Sequence, residues 1–163
     1  MPYKLDVWAD GACRRNGQPG AIGGAGIWFG RPVNGSRGWI RALPLHPIPT
    51  NQRAELTAII FALEMARDRR DELNDRPYFM LTVYTDSKYA HGCMCEWLDQ
   101  WRDNGWVNSR GVAVVNRDLI QEAADLLDDL ENGGEVKFTW IPREQNQDAD
   151  RLANEAYDKQ EYY

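Results

Sequence analysis

Four acidic residues stand at positions where their carboxylates could do chemistry. Asp10 and Asp86 each follow a short apolar segment that predicts a strand, while Glu55 and Asp150 each fall in a segment with helical spacing. Ligands and reacting groups collect at the carboxyl ends of strands in α/β sheets, so Asp10 and Asp86 could meet across neighbouring strands. Taken singly, each residue also fits an ordinary role, as a turn or helix-capping Asp or an exposed helix acid. The case for chemistry therefore depends on the four acids acting together.

A cluster of carboxylates favours binding of a divalent metal ion. Carboxylates gathered without nearby cations repel one another, and a hard divalent cation relieves that repulsion. Oxygen ligands suit Mg²⁺ or Mn²⁺ better than zinc. Two such ions about 4 Å apart can activate a water molecule and stabilise the departing oxygen of a phosphodiester. The acids thus predict phosphoryl transfer to water.

The hydrophobic pattern predicts the elements that must position these acids. Helix-period and strand-period segments follow one another, with Thr50 or Asn51 available to cap the first long helix. The predicted strands are Tyr3–Ala9, Ala21–Phe29, Ser36–Leu43, Phe79–Thr85 and Val136–Ile141, and the predicted helical regions include Asn51–Arg70, Ser87–Trp101 and Asn146–Tyr157. This order predicts an α/β fold with one sheet, partly antiparallel and partly parallel, covered by helices.

Composition indicates a globular protein with a single core. The chain has 163 residues, of which 43% are hydrophobic and 27% are charged, which argues against both disorder and a membrane protein. Three cysteines form neither a disulfide framework nor a zinc motif. With neither a signal sequence nor an apolar span in view, we expect an intracellular protein, cytoplasmic or nuclear, without a membrane partner.

The net charge of -6 argues at first against binding to nucleic acid. Seven acidic residues and no Lys or Arg lie from Asp118 to Glu135. The net negative charge of this one segment is therefore larger than that of the whole chain. Its leucines recur at helical spacing, which favours a helix with a solvated acidic face. The remainder of the chain is close to neutral, and the charge argument loses most of its force.

Five segments resemble, in order, the motifs of type 1 ribonuclease H. They are Ala9-Asp10-Gly11-Ala12-Cys13, Thr50-Asn51-Gln52-Arg53-Ala54-Glu55-Leu56, Tyr84-Thr85-Asp86-Ser87-Lys88-Tyr89, Trp101-Arg102-Asp103-Asn104-Gly105-Trp106 and Asn146-Gln147-Asp148-Ala149-Asp150-Arg151-Leu152-Ala153. The resemblance implies a ribonuclease H-like fold, with a five-stranded mixed sheet flanked by helices, and a single catalytic domain over residues 1–163. It also implies a monomeric, Mg²⁺- or Mn²⁺-dependent endonuclease that hydrolyses the RNA strand of RNA–DNA hybrids by a two-metal mechanism, leaving 5′-phosphate and 3′-hydroxyl ends.

The same resemblance assigns expected roles to individual residues. The metal set is Asp10, Glu55, Asp86 and Asp150. Contacts to the RNA strand fall to Asn16, Asn51, Gln52 and Glu55, where the side-chain amides suit 2′-hydroxyls. Contacts to the DNA strand fall to Thr50 and Asn116 at a phosphate, and to Cys13, Tyr89, Trp97, Trp101 and Ser109 along a channel. Without the family, Trp97 and Trp101 are equally well explained as one face of a helix packed on the core.

Two departures from the family pattern affect these expectations. Many members carry a histidine on the loop before the last helix, whereas Glu144 occupies that place here. Glu144 could accept a proton or assist metal release, or it could be an exposed loop residue. The segment Trp97–Arg117 holds three arginines against two aspartates, where relatives are more basic, and Ile48 replaces an arginine found before the phosphate-binding threonine in some of them. We therefore expect modest hybrid affinity that salt weakens readily.

Alternatives within and outside this enzyme class remain open from sequence. Another nuclease of the same broad fold, such as a resolvase, a transposase or a ribonuclease H domain of a reverse transcriptase, would carry similar acids. A non-catalytic hybrid-binding protein is the alternative from a different class, although four repelling carboxylates near a polyanion would hinder such a protein.

Overall fold

A five-stranded mixed sheet forms the centre of the fold. The computed structural model describes residues 1–161, and the side chains of residues 1–159. The strands are β1 (Tyr3–Arg14), β2 (Ile22–Val33), β3 (Ser36–Ala42), β4 (Phe79–Thr85) and β5 (Gly134–Trp140), in the spatial order β3-β2-β1-β4-β5. β1 pairs antiparallel with β2 and parallel with β4, which confirms the mixed sheet expected from sequence.

Helices cover both faces of the sheet. They are α1 (Asn51–Glu72), α2 (Lys88–Gly92), α3 (Leu98–Asn104), α4 (Arg117–Glu131) and α5 (Gln147–Glu161), with a π-helical turn at Cys93–Trp97 and a 3₁₀ turn at Arg143–Gln145. α1 buries Leu56, Ile59 and Leu63 against the sheet. Thr50 caps α1 by accepting a hydrogen bond from the Arg53 N–H at 3.0 Å, so Thr50 rather than Asn51 is the capping residue.

The end of β1 differs from the sequence-based boundary. The parallel pairing with β4 stops at Ala9 and Thr85, whereas the antiparallel pairing with β2 continues to Arg14. Asp10 therefore lies inside β1, at the point where β4 leaves it, rather than at the end of the strand. The apolar pattern ends at Ala9, but main-chain pairing to β2 keeps the following residues extended.

The helical region predicted over Ser87–Trp101 is not one helix. It divides into α2, the π-helical turn and α3, and the helical conformation continues to Asn104. Gly92 contacts the Trp97 ring so closely that a Cβ at this position would overlap it. A π-helical turn changes the direction of the side chains that follow it, and this turn accommodates Trp97 against Gly92.

The acidic segment forms α4 with the predicted apolar face. Ile120, Ala123 and Leu130 are buried, and its acids lie on the outer side or at the helix ends. Two ion pairs join α4 to α1, from Arg53 to Asp118 and from Arg70 to Asp129. α4 thus covers α1 and directs most of its negative charge to solvent.

Within residues 1–161, none of the helices combines the length and apolar character needed to span a membrane.

Candidate active site

Four carboxylates face one open cleft of about 480 Å³. Carboxylate oxygens of Asp10, Glu55 and Asp86 all lie within 4.8 Å of one another. Asp150 lines the same cleft from α5. The structure therefore brings together the four acids that the sequence singled out, three of them in close contact.

Asp10 and Asp86 are positioned by the centre of the sheet. Asp10 is 4% exposed on β1, and Asp86 follows the last residue of β4. The side chain of Asn146, itself 1% exposed, links the two strand ends. Its Nδ2 donates to the Ala9 carbonyl at 3.0 Å and to Asp86 Oδ2 at 3.4 Å. Asn146 therefore fixes the Asp86 carboxylate relative to β1.

Glu55 reaches the sheet because of a close approach at Gly11. A Cβ on Gly11 would overlap the α1 backbone at Ala54 and Glu55, so only glycine permits this contact. The Gly11 N–H donates to Glu55 Oε2 at 3.3 Å. This hydrogen bond holds the Glu55 carboxylate beside Asp10.

Asp150 is positioned by close packing of α5 on β2. A Cβ at Gly24 or Gly26 would overlap the α5 backbone, which lies directly on these glycines. Asp150, in the first turn of α5, consequently faces the acids of β1 and β4. Its Oδ1 lies 3.9 Å from Arg143 Nη2.

The acids are enclosed together with little compensating charge. Burial raises the pKa of Asp10 far above its ordinary range, and repulsion from Glu55 and Asp86 raises it further. Burial also raises the pKa of Glu55, with repulsion from Asp86 and Asp150 adding to the effect. Burial raises the pKa of Asp86, although the Asn146 amide and the Arg143 charge limit the rise.

This donor set fits a hard divalent cation. Its ligand atoms are carboxylate oxygens that repel one another, and a bound cation would favour their charged forms. Among the described residues that line the cleft, Arg143 is the sole basic one. The cleft thus lacks enough positive charge of its own to balance four carboxylates.

Residues expected to contact an RNA strand lie along one side of the acids. Cys13 and Asn51 line the cleft, although Cys13 was expected on the DNA side. Asn16 Oδ1 accepts a hydrogen bond from the Asn51 N–H at 2.9 Å, which joins the loop after β1 to the start of α1. Gln52 is exposed on the first turn of α1.

Residues expected to contact a DNA strand surround the first turns of α1 and α4. Asn116 Nδ2 donates to the Tyr89 hydroxyl at 3.1 Å. The Trp97 and Trp101 rings lie 5.8 Å apart, with Trp97 exposed and Trp101 packed against the core. Ser109 lies on the exposed loop between α3 and α4. Core packing thus describes Trp101, while the exposed ring of Trp97 is available for other contacts.

A family model for RNase H matches residues 2–158. The chain belongs to the ribonuclease H family. Its motifs and its mixed sheet are those of the type 1 ribonuclease H, as the sequence resemblance indicated. The family is divalent-metal dependent, in agreement with the acidic triad of Asp10, Glu55 and Asp86.

Individual ribonuclease H proteins resemble the chain to different extents. Ribonuclease H1 of Rattus norvegicus is 32% identical over 161 residues, which cover 95% of this chain and 50% of the rat protein. Ribonuclease H of Ruthia magnifica is 35% identical over 165 residues, covering 96% of this chain and 97% of the bacterial protein. The chain therefore spans half the length of the rodent relative and nearly all of the bacterial one.

A solved ribonuclease H has the same fold. LC11-RNase H1, determined in complex with an RNA/DNA hybrid, superposes with a TM-score of 0.63 at 25% identity, over 95% of this chain and 97% of that one. The likeness extends over the sheet and the covering helices, so the fold expected from sequence is confirmed.

The loop that carries a histidine in many ribonuclease H proteins presents an arginine to the cleft here. Glu144 is exposed on the 3₁₀ turn and is not among the cleft-lining residues, whereas its neighbour Arg143 is. Arg143 and Glu144 are neighbours on one 3₁₀ turn, and their order in the sequence does not show which of the two faces the cleft.

Three further residues of the cleft were missed from sequence. They are Arg143, Asn154 and Tyr157. Asn154 and Tyr157 lie four and seven residues after Asp150 on α5, so helical spacing from Asp150 could have identified them. Arg143 had no comparable signal, because the turn that orients it is not periodic.

Proposed function

We propose that the chain is a metal-dependent endonuclease that hydrolyses the RNA strand of RNA–DNA hybrids. The observation that carries this proposal is the meeting of Asp10, Glu55, Asp86 and Asp150 at one cleft, in a chain of the ribonuclease H family. LC11-RNase H1, a structural relative, was solved with an RNA/DNA hybrid, which supports the same class of substrate.

The four acids would hold two Mg²⁺ ions, with Mn²⁺ as an alternative. Asp10 and Asp86 are the central ligands in this proposal, and Glu55 and Asp150 complete the set from α1 and α5. When bound, the ions supply activation of the attacking water and stabilisation of negative charge on the departing oxygen. Hydrolysis breaks the bond from phosphorus to the 3′-oxygen, which yields the 5′-phosphate and 3′-hydroxyl ends.

Side-chain amides on the α1 side of the cleft would recognise the RNA strand. Asn16, Asn51 and Gln52 can exchange hydrogen bonds with 2′-hydroxyl groups, which DNA lacks. The hydrogen bond between Asn16 and the Asn51 N–H holds these two residues together before substrate arrives. This preorganisation lowers the ordering cost of binding, and the contacts to 2′-hydroxyls would favour RNA over a deoxyribose strand.

The DNA strand would run past α1, α2 and α4. Thr50 and Asn116 would hold one phosphate, and Tyr89, Trp97 and Trp101 would present flat surfaces to deoxyribose. Cys13 and Ser109 would also contact this strand, and Cys13 lines the acidic cleft as well.

Arg143 would contact an RNA phosphate at the mouth of the cleft. Its side chain is largely exposed and its guanidinium lies 3.9 Å from Asp150, so it can reach both solvent and the metal ligands. A guanidinium pairs well with phosphate oxygens. We assign Arg143 to substrate positioning and keep Glu144 as a weaker alternative for proton transfer.

We also propose that the chain acts as a monomer and forms one domain. A single hydrophobic cluster joins residues of β1, β2, β4, α1 and α4, which supports one cooperative unit. The substrate path described above needs no residue from a second copy.

Cleavage of labelled nucleic acids tests this function. RNA–DNA hybrid, RNA duplex, DNA duplex and a DNA four-way junction would each be incubated with Mg²⁺, Mn²⁺ or a chelator. We expect cutting of the RNA strand of the hybrid alone, and only with a metal ion. A cut junction beside an intact hybrid would indicate a resolvase-like nuclease. Binding of hybrid without any cutting would indicate a non-catalytic binding protein.

A further inference from the structure

The side chain of Asn116 is held from two directions. Its Oδ1 accepts a hydrogen bond from Arg53 Nη1 at 3.3 Å, and its Nδ2 donates to the Tyr89 hydroxyl at 3.1 Å. The oxygen and nitrogen of a carboxamide have nearly the same shape, so packing alone hardly distinguishes its two orientations. An arginine can only donate, so Arg53 selects the orientation in which the oxygen faces it.

The orientation of this amide decides what Asn116 offers to a substrate. Nδ2 carries two N–H groups, and the Tyr89 hydroxyl uses one of them. The second N–H remains available to a negatively charged oxygen. In the flipped orientation the amide would turn its acceptor oxygen toward that position, where it would repel a phosphate.

Arg53 is itself held firmly. Its Nη1 and Nη2 donate to the two carboxylate oxygens of Asp118 at 3.0 and 2.7 Å. The Arg53 side chain is 14% exposed, while that of Asp118 is 60% exposed. Asp118 therefore offsets the Arg53 charge and occupies its outward donors, so Arg53 is poorly placed to bind a phosphate directly.

The pair also joins the two helix starts that flank the expected phosphate position. Arg53 lies three residues after Thr50, and its N–H donates to Thr50 Oγ1 at 3.0 Å. Asp118 lies two residues after Asn116, which has a left-handed backbone at φ 65°. Arg53 thus touches both residues that are expected to hold the phosphate.

We propose that Arg53 is a positioning residue that fixes the Asn116 carboxamide with one N–H directed at a DNA-strand phosphate. This inference rests on the proposed function, because it takes Thr50 and Asn116 as the phosphate contacts. It also explains how the site works although Ile48 stands where some relatives place an arginine. Arg53 acts through Asn116, and its own charge stays paired with Asp118.

Arg70 provides a matched control. Like Arg53, it lies on α1 and pairs with an aspartate of α4, Asp129, at the opposite end of both helices. Its side chain is 20% exposed, close to that of Arg53. Arg53→Gln and Arg70→Gln therefore each remove one partly buried α1–α4 ion pair, and only the first touches Asn116.

The experiment measures hybrid cleavage and thermal stability for both variants, for Arg53→Lys and for the Arg53→Gln/Asn116→Ala double variant. We expect Arg53→Gln to raise KM about tenfold with kcat within about twofold of wild type, since one oriented contact to a charged group is lost. Arg70→Gln should lower the Tm comparably and leave KM unchanged. Arg53→Lys keeps a positively charged donor but loses the two separate N–H groups of the guanidinium. Its KM should therefore lie between those of the wild type and Arg53→Gln.

The double variant decides whether Arg53 works through Asn116. Once Asn116→Ala has removed the amide, Arg53→Gln should add nothing to KM. An additional tenfold rise in that background would mean that Arg53 binds substrate itself and would overturn the inference. Equal KM values for Arg53→Gln and Arg70→Gln would mean that the ion pair between Arg53 and Asp118 only stabilises the fold. That result would also overturn the inference.

NMR of the Asn116 side-chain amide separates this inference from the proposed function. In the free protein, Asn116 Nδ2 should give an order parameter typical of a rigid group, and Arg53→Gln should lower it clearly. That result would stand even if the wild-type protein failed to cleave hybrid. An Asn116 amide equally rigid in both proteins would contradict the positioning role whatever the cleavage result.

Discussion

Asp10 is the most enclosed of the four acids and makes the clearest case for a metal-binding role. Buried carboxylates are ordinarily paired with a cation or neutralised by a proton. Asp10 faces three further carboxylates, and its pKa is raised by burial, by repulsion from Glu55 and Asp86, and by its contact with Asp150. A residue in this position reduces the stability of the metal-free protein near neutral pH. A cation bound by the cluster would offset this cost.

Replacing Asp10 by Asn should stabilise the metal-free protein. The substitution removes one charge from the repelling cluster at nearly the same volume, so we expect the free energy of unfolding to rise by about 1–3 kcal/mol near neutral pH. Chemical denaturation of wild type and Asp10→Asn in chelator measures this. Added Mg²⁺ should stabilise the wild type more than the variant. A variant less stable than wild type in chelator would contradict the proposed repulsion.

The same pair of proteins gives a pH dependence with a defined sign. A carboxyl whose pKa is raised by folding binds more protons in the native state than in the unfolded state, so its contribution to stability falls as pH rises above about 4. The advantage of Asp10→Asn over wild type in chelator should therefore grow between pH 5 and pH 8. An advantage that shrank over this range would show that the Asp10 pKa is lowered rather than raised.

Among the secondary-structure elements, the 3₁₀ turn before α5 determines whether a basic or an acidic side chain lines the cleft. Arg143 lines the cleft and Glu144 does not. We expect Arg143→Ala to lower kcat/KM about tenfold or more, because a charge-assisted contact to phosphate is lost. Glu144→Ala should reduce turnover slightly at most. Steady-state kinetics on a hybrid with the two variants side by side tests this, and a larger effect of Glu144→Ala would restore the role first expected for it.

The contact between β1 and α1 positions Glu55, and Gly11 makes that contact possible. Gly11→Ala would place a Cβ against the α1 backbone, so α1 must shift outward. We expect a loss of about 1–3 kcal/mol in the free energy of unfolding together with weaker metal binding, since Glu55 moves with α1. Denaturation and metal-titration calorimetry measure the two effects. Unchanged metal affinity would mean that α1 does not fix Glu55 through this contact.

Sequence was sufficient where local patterns carry the information. β4 has the predicted bounds, α1 begins at Asn51 as expected, and the apolar face of α4 follows its leucine spacing. These features depend on neighbours within a few residues in the chain. The four acids stood out only as a set, because each one alone also fits a turn, a helix cap or an exposed helix surface.

Other features depend on contacts between distant segments, and sequence did not reveal them. β1 extends past Ala9 because β2 pairs with it, and the helical region after Asp86 is interrupted by the π-helical turn at Cys93–Trp97. The 3₁₀ turn sets which of the neighbours Arg143 and Glu144 lines the cleft, and it is Arg143. The link from Arg53 to Asn116 crosses 63 residues of sequence, which no local pattern reports.

In the molecule as a whole, the acidic residues of α4 lie outside the carboxylate cleft, which is lined by none of the described α4 residues. α4 directs its acidic face to solvent, and its acids partly pair with arginines of α1 and α3. The segment Trp97–Arg117 retains Asp99 and Asp103 among three arginines. Hybrid binding should consequently be weak without a metal ion and sensitive to salt.

Removing the two aspartates should strengthen hybrid binding. We expect Asp99→Asn/Asp103→Asn to lower the Kd several-fold at low salt and to steepen the fall of affinity with salt, because the arginines are then less offset. Fluorescence anisotropy of a labelled hybrid over a salt series measures the Kd and its salt dependence. Ca²⁺ replaces Mg²⁺ in this experiment, so that the hybrid is bound but not cut. Asp125→Asn/Glu131→Gln, which also removes two charges at exposed positions of α4, is the control, and an equal gain from it would mean that only net charge matters.

Asp86→Asn tests whether the carboxylate cluster, with divalent cations, cuts the RNA strand of a hybrid. The measurement is the rate of RNA-strand cleavage in a labelled hybrid with Mg²⁺, for wild type and for Asp86→Asn shown by its Tm and circular dichroism to be folded. We predict that wild type cuts the RNA strand and that Asp86→Asn has no detectable activity while keeping the fold. Cleavage by the folded variant at the wild-type rate would show that the Asp86 carboxylate is not needed for the reaction.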